Sequence, residues 1–150
     1  MKYWLVKSEP DEFSIDALQK VGIEPWSGVR NYQARNFLRQ MKAGDGVLFY
    51  HSSCAEPGIV GVAKVAEAAF PDPTQFDMRS DYYDPKANPE EPRWFAVDVV
   101  FVRKLSRMIA LAELRDHADA LGDFAVLRRG SRLSVLPVTS HQWKTILALE

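Results

Sequence analysis

The chain has 150 residues, a net charge of −1 from 19 basic and 20 acidic side chains, and a composition that is 47% hydrophobic. A chain this long fits one domain and can bury roughly 70% of its unfolded surface, so its core needs neither disulfides nor a structural metal. The near-neutral balance excludes a protein that coats nucleic acid non-specifically, and no apolar run approaches the ~20 residues of a membrane span.

Tyr3-Trp4-Leu5-Val6 is β-prone and opens the chain as a strand. Phe13 to Leu18 reads as a short helix, with Ser14 as N-cap and Gly22 beyond its end. Asn31 can cap a second helix reaching about Met41. Ala34, Phe37, Leu38 and Met41 share one face of it, and Arg35 and Arg39 the other. Gly44-Asp45-Gly46 turns the chain into a buried strand, Val47 to Tyr50. Ile59 to Val65 is the next strand, and Gly61 within it suggests a bend or bulge. Pro71 to Pro92 carries five prolines and cannot be regular throughout, yet Phe76, Tyr82 and Tyr83 favour an ordered loop packed on the body. Phe95 to Val102 alternates as a strand, Ala110 to Ala120 reads as a helix and Leu133 to Val138 as a short strand. Thr139 or Ser140 caps a final helix. Trp4, Phe49 and Trp94 lie in apolar runs and belong in the core. Five or more strands without βαβ alternation indicate the α+β class, as a small bent β-barrel decorated by short helices.

Cys54 is the only cysteine, which suits a reducing compartment. Met1 to Lys7 is too short and lacks the small-residue cleavage site of a secretion signal, so a cytoplasmic location is expected. Charge is unevenly distributed. Residues 28–42 and 126–149 each carry +4 with no acid, whereas 67–91 carries −5. Two basic segments could form one anion-attracting face, or simply solvate separate loops.

There is no GxGxxG, P-loop, GxSxG or HExxH, so no cofactor is indicated. His51, His117 and His141 are scattered, and His51 with Cys54 makes neither a zinc site nor a persuasive catalytic pair. What stands out are polar and aromatic clusters at element ends: Lys7-Ser8-Glu9-Pro10, Trp26 to Gln33, and Tyr50-His51-Ser52-Ser53. These would converge if a barrel closes. Trp26 lies between Pro25 and the Ser27-Gly28 turn, on no period that demands burial. Equally, Trp26 could be a core aromatic, Asn31 a plain N-cap and His51 a satisfied loop histidine.

Tyr3 to Pro10, the Trp26-x-Gly28-Val29-Arg30-Asn31-Tyr32-Gln33-Ala34-Arg35-Asn36-Phe37-Leu38 run and Phe49-Tyr50-His51-Ser52-x-Cys54-x-Glu56-Pro57-Gly58-Ile59 resemble the EVE domain family. Tyr83 to Lys86, Arg93 to Val99 and Arg132 to Val135 match in the same order, so the resemblance spans nearly the whole chain. It implies a PUA-like barrel, related to YTH and ASCH domains, that binds modified nucleobases in DNA or RNA without catalysis. It further implies that Trp26 stacks on an extruded base while Lys7 and Ser8 reach the base's polar edge. Arg30, Asn31 and Tyr32 would border the pocket and the backbone path, His51 and Ser53 would close the opposite wall, and Arg132 and Ser134 would line the cleft. Arg35 and Arg39 would touch phosphate or solvate a helix face.

Two other functions fit the residues. One is an ASCH-like hydrolase or nuclease using His51, Lys7 or Tyr50 as acid or base. The other is an interaction module whose acidic loop, Pro71 to Pro92, binds a protein.

Overall fold

The computed structural model describes Met1 to Glu150. In chain order the elements are β1 (Tyr3–Ser8), α1 (Ile15–Val21), β2 (Ile23–Trp26), α2 (Tyr32–Gln40), β3 (Gly46–His51), β4 (Gly58–Val65) and β5 (Phe70–Pro71). They continue with β6 (Phe95–Ala110), α3 (Leu111–Asp116), α4 (Ala118–Leu121), β7 (Val135–Val138) and α5 (Ser140–Leu147). The strands form one sheet in the order β2-β6-β4-β3-β1-β7, with β5 on the side of β6. All pairs are antiparallel except β1 with β3, whose crossover carries α1, β2 and α2. No helix is long and apolar enough to cross a membrane.

Alternation along the strands separates two cores. Trp4 and Val6 of β1 with Val47 and Phe49 of β3 face one side, whereas Leu5, Leu48 and Tyr50 face the other. The first core also receives Trp26 from β2 and Val135 from β7, the two end strands of the sheet. Both ends can reach one core only because the sheet curls around it. Helix α2 packs on β6 and on β7, covering the seam with Ala34 and Leu38. The second core, on the outer face, is covered by Leu114, Leu121 and Ile146 of α3, α4 and α5. This is the α+β bent barrel with short helices that the sequence indicates. Trp4, Phe49 and Trp94 are buried as expected, and the Trp4 indole N–H donates to Asp45 Oδ2 at 3.0 Å, so its burial leaves no polar group unpaired.

The curl has local causes. Register shifts between Phe49 and Tyr50, Ile59 and Gly61, and Val62 and Ala63 bend β3 and β4. Gly61 is required there for space, because a Cβ would collide with the Ile15 side chain that α1 presses into the core. The caps expected at Ser14, Asn31 and Thr139 are present, each side chain accepting a backbone N–H of the first helical turn. Three elements differ from expectation. No element is expected over Ile23–Trp26, yet β2 pairs with β6 as an edge strand that tolerates Pro25. β6 extends to Ala110, well past the point where its alternation fades. The helix expected over 110–120 breaks at His117.

Candidate nucleic-acid interface

Parallel pairing of β1 with β3 brings Ser8 opposite His51, so both strands end at the same rim. Antiparallel pairing of β7 with β1 brings its start there too, and Lys7 N–H donates to Ser134 C=O at 2.9 Å. β2 ends beside them. The four ends surround an open cleft of about 730 Å³. Lys7, Ser8, Trp26, Arg30, Ser53, Arg132 and Ser134, all singled out from sequence, line it.

Lys7 is half-buried and its ammonium has no hydrogen bond or ion pair within the protein, only the Tyr50 ring 5.7 Å from Nζ. Burial holds its pKa below the ordinary lysine value. Ser8 Oγ donates to Phe13 C=O at 2.5 Å, which spends its proton but leaves lone pairs free. Ser53 sits at φ +52°, a left-handed conformation that a serine adopts at a cost of order 1–3 kcal/mol. Arg132 at the rim is exposed and also unpaired. Acids share the lining, as Glu9, Glu12 and Glu24. The cleft is therefore of mixed charge rather than the mouth of a uniformly basic face.

Trp26 is largely enclosed. It is the last residue of β2 and only 9% exposed, held edge-on by Phe49 (centroids 5.5 Å, 84°) and Phe13 (6.3 Å, 75°). It belongs mainly to the core and offers the cleft a small part of its surface. Arg30 lines the cleft, but its donors are committed. Nε and Nη2 donate to Tyr82 C=O (3.1 and 2.7 Å) and Nη1 to Val29 C=O and Asp72 Oδ2 (3.0 and 3.1 Å). Nη2 also donates to Thr74 Oγ1 at 3.0 Å. All five N–H groups are used, on four acceptor atoms, so this guanidinium is a strut and not a free anion site.

Asn31, Tyr32 and His51 do not line the cleft. Asn31 Oδ1 accepts Ala34 N–H as the α2 cap. Tyr32, 53% exposed, stacks on Trp94 at 4.9 Å. His51 Nε2 accepts Ile15 N–H at 3.1 Å, satisfying the start of α1. Burial lowers the His51 pKa, Asp16 raising and Lys104 lowering it in turn, which fits a neutral ring with its proton on Nδ1. Arg35 is likewise engaged, with Nη1 donating to Arg93 C=O at 3.0 Å and its guanidinium 4.9 Å from the Tyr32 ring.

Residues that the sequence did not single out complete the lining: Phe13 and Val29 as apolar surface, and Tyr82 from the long loop. The loop is anchored by two buried polar side chains. Asp72 accepts from Gly28 N–H (2.7 Å), Thr74 N–H, Thr74 Oγ and Arg30, with its side chain 0% exposed. Burial pushes the Asp72 carboxyl up, but these donors outweigh it and hold its pKa below the usual value. Gln75 bridges Asp72 C=O, Trp94 C=O and the N–H groups of Arg93 and Trp94, acting as a missing strand partner. No group of three or more His, Cys, Asp and Glu side chains is placed to hold a metal ion.

The chain is 43% identical to human thymocyte nuclear protein 1, over 99% of its own length and 73% of that protein's. A crystal structure of a Pseudomonas putida protein is 53% identical, with a TM-score of 0.95 and 98% of each chain covered. The crystal structure of human THYN1 in complex with 5-methylcytosine-containing DNA superimposes with a TM-score of 0.94 at 41% identity, covering 99% of this chain and 97% of that one. An ASCH protein of Zymomonas mobilis shares the fold alone, at 11% identity and a TM-score of 0.57. The expected cytoplasmic location is corrected by these relatives, whose name points to the nucleus. The EVE domain model matches residues 2–149, and the chain belongs to the EVE domain family.

Proposed function

We propose that this protein reads a modified base, a 5-methylated cytosine in DNA, by receiving it in the cleft at the strand ends, and that it does so without catalysis. The observation that carries this reading is Lys7, a half-buried cation with no partner in the protein, in a cleft that also presents apolar surface from Phe13, Trp26 and Val29. In the human relative the complex contains 5-methylcytosine DNA. A cytosine edge carries acceptors at N3 and O2 and a donor at N4. Lys7 can serve the acceptors, and the glutamates of the lining can accept from N4. The methyl group would meet Phe13 and Val29. A base inside a duplex must be extruded at a cost of a few kcal/mol, which stacking and these polar contacts offset. One buried methyl contributes only about 1–3 kcal/mol, so discrimination should be moderate.

The hydrolase alternative is weakened by the groups it would use. His51 Nε2 is occupied by Ile15 N–H, and Tyr50 is buried in the outer core with its pKa raised, chiefly by burial. The interaction-loop alternative is weakened because the loop is tied to the body through Asp72 and Gln75 and contributes Tyr82 to the cleft. The test is a titration against labelled duplexes and single strands, DNA and RNA, that differ only in one cytosine bearing hydrogen, methyl or hydroxymethyl. Tighter binding to the methylated DNA duplex, with no product after prolonged incubation, supports the reading. Equal binding to all members, or turnover, refutes it.

A further inference from the structure

A pocket that holds a flat base needs an aromatic face, and Trp26 has little to give: at 9% exposure its ring is enclosed by Phe13 and Phe49. The aromatic with area to spare is Tyr82. It lines the same cleft, packs against the Ser27-Gly28 turn, and is 44% exposed. An exposed ring on a long loop would ordinarily be mobile, and a mobile ring gives up affinity because ordering it opposes binding. Tyr82 is instead fixed from two directions. Its carbonyl accepts both Nε and Nη2 of Arg30, and the Arg30 guanidinium lies 5.7 Å from its ring centroid. Its ring also lies against Gly28. A Cβ there would stand 2.8 Å from two ring carbons, and φ +81° independently favours glycine. Arg30 is anchored in turn by the fully buried Asp72.

We infer that Tyr82 is the stacking face of the base pocket, and that Arg30 is a positioning residue that holds the ring in place without touching the ligand. This rests on the base-reader reading above and assigns a face of which the largely enclosed Trp26 supplies little. The acidic loop is then part of the binding site, and the Arg30–Asp72 pair joins it to the body. Stacking on a preorganised ring tolerates any base, so Tyr82 should add affinity to modified and plain targets alike and leave discrimination to the polar and apolar lining.

The experiment measures affinity for a methylated and a plain duplex with wild type, Tyr82→Ala, Tyr82→Phe, Arg30→Lys and the Arg30→Lys/Tyr82→Ala double variant, with a thermal melt for each. Wild type is the reference for the underlying reading: no preference for the methylated duplex overturns both claims. Given that preference, Tyr82→Ala should bind both duplexes about 5- to 150-fold more weakly at an unchanged melting temperature. Tyr82→Phe should rescue the affinity, because it keeps the ring and the Arg30-bound carbonyl. Arg30→Lys should weaken binding in the wild-type background and hardly at all when Tyr82 is already alanine. Undiminished binding by Tyr82→Ala, failure of phenylalanine to rescue, or additive losses in the double variant would each overturn the inference while leaving the base-reader reading intact.

Discussion

On one side of the cleft, Gly28, Arg30 and the loop from Asp72 to Trp94 are held together by a buried ion pair, a glutamine bridge and stacked rings. On the other side, Lys7, Ser53, Arg132 and Ser134 project without a side-chain hydrogen bond or ion pair to the protein, and Ser53 sits in a strained backbone conformation. The two sides show that charge alone does not identify a binding group. Arg30 and Lys7 are both cations in the same cleft, yet one has satisfied every donor internally and the other none. The first shapes the site, and the second is available to a ligand.

The largest expected effect falls on Trp26, where the tied side meets the core. Trp26→Ala should cost about 3–5 kcal/mol of stability in urea unfolding, because its ring packs against Phe13 and Phe49. An unchanged midpoint with lost ligand discrimination would return Trp26 to a purely ligand-facing role.

Breaking the tied side itself comes next. Asp72→Asn should destabilise by about 3 kcal/mol, since the Arg30 charge loses its buried partner. The folded-state pKa of Asp72 is depressed. Its contribution is thus fully present above the ordinary carboxylate value near pH ~4, and is lost as pH falls through the depressed value. The gap between wild type and Asp72→Asn should therefore close in acid. A gap that persists unchanged to low pH would show that packing, not charge, secures the loop.

For the open side, Lys7→Met should leave the melting temperature unchanged or slightly raised while costing about 1.5–3 kcal/mol of binding to a methylated duplex. The charged form does the binding, and burial lowers the Lys7 pKa. Affinity should then fall with rising pH before the ordinary lysine value of about 10.4 is reached. A Lys7→Met variant with full affinity would remove the cation from the recognition scheme. The smallest effect separates two arginines. Arg132→Ala should reduce the salt slope of binding by about one, whereas Arg35→Ala, whose guanidinium is engaged by Arg93 C=O and Tyr32, should leave the slope alone. The reverse result would exchange the two sides.

The sequence revealed a good deal of this, in parts that depend on local chemistry. Ser14, Asn31 and Thr139 announce helix starts because a short polar side chain can satisfy a free N–H two or three residues on, and that requires no knowledge of the rest of the fold. Gly61 suggested the bend in β4 for a similar reason. β2 was illegible: four residues with Pro25 inside and Ile23 exposed carry no period, and their pairing with β6 is purely tertiary. The second half of β6 passes to the outer core, where only Leu105 and Ile109 are buried, so its alternation fades while its ladder continues. At the site, the residues at strand ends were legible as a group. What each one does was not. Whether Arg30 is free depends on acceptors 42 to 52 residues away, at Asp72, Thr74 and Tyr82. Tyr82 itself gave no signal beyond its place in a long loop with aromatic residues.

The most direct test of the account is a crystal structure of this protein with a duplex carrying one 5-methylcytosine. The account predicts the methylated base extruded from the helix and seated in the cleft. Its ring should lie against Tyr82, its polar edge within hydrogen-bonding distance of Lys7 Nζ, and its methyl group toward Phe13 and Val29. A complex in which the base stays stacked in the duplex, or lies on another face of the protein with the cleft empty, would contradict it.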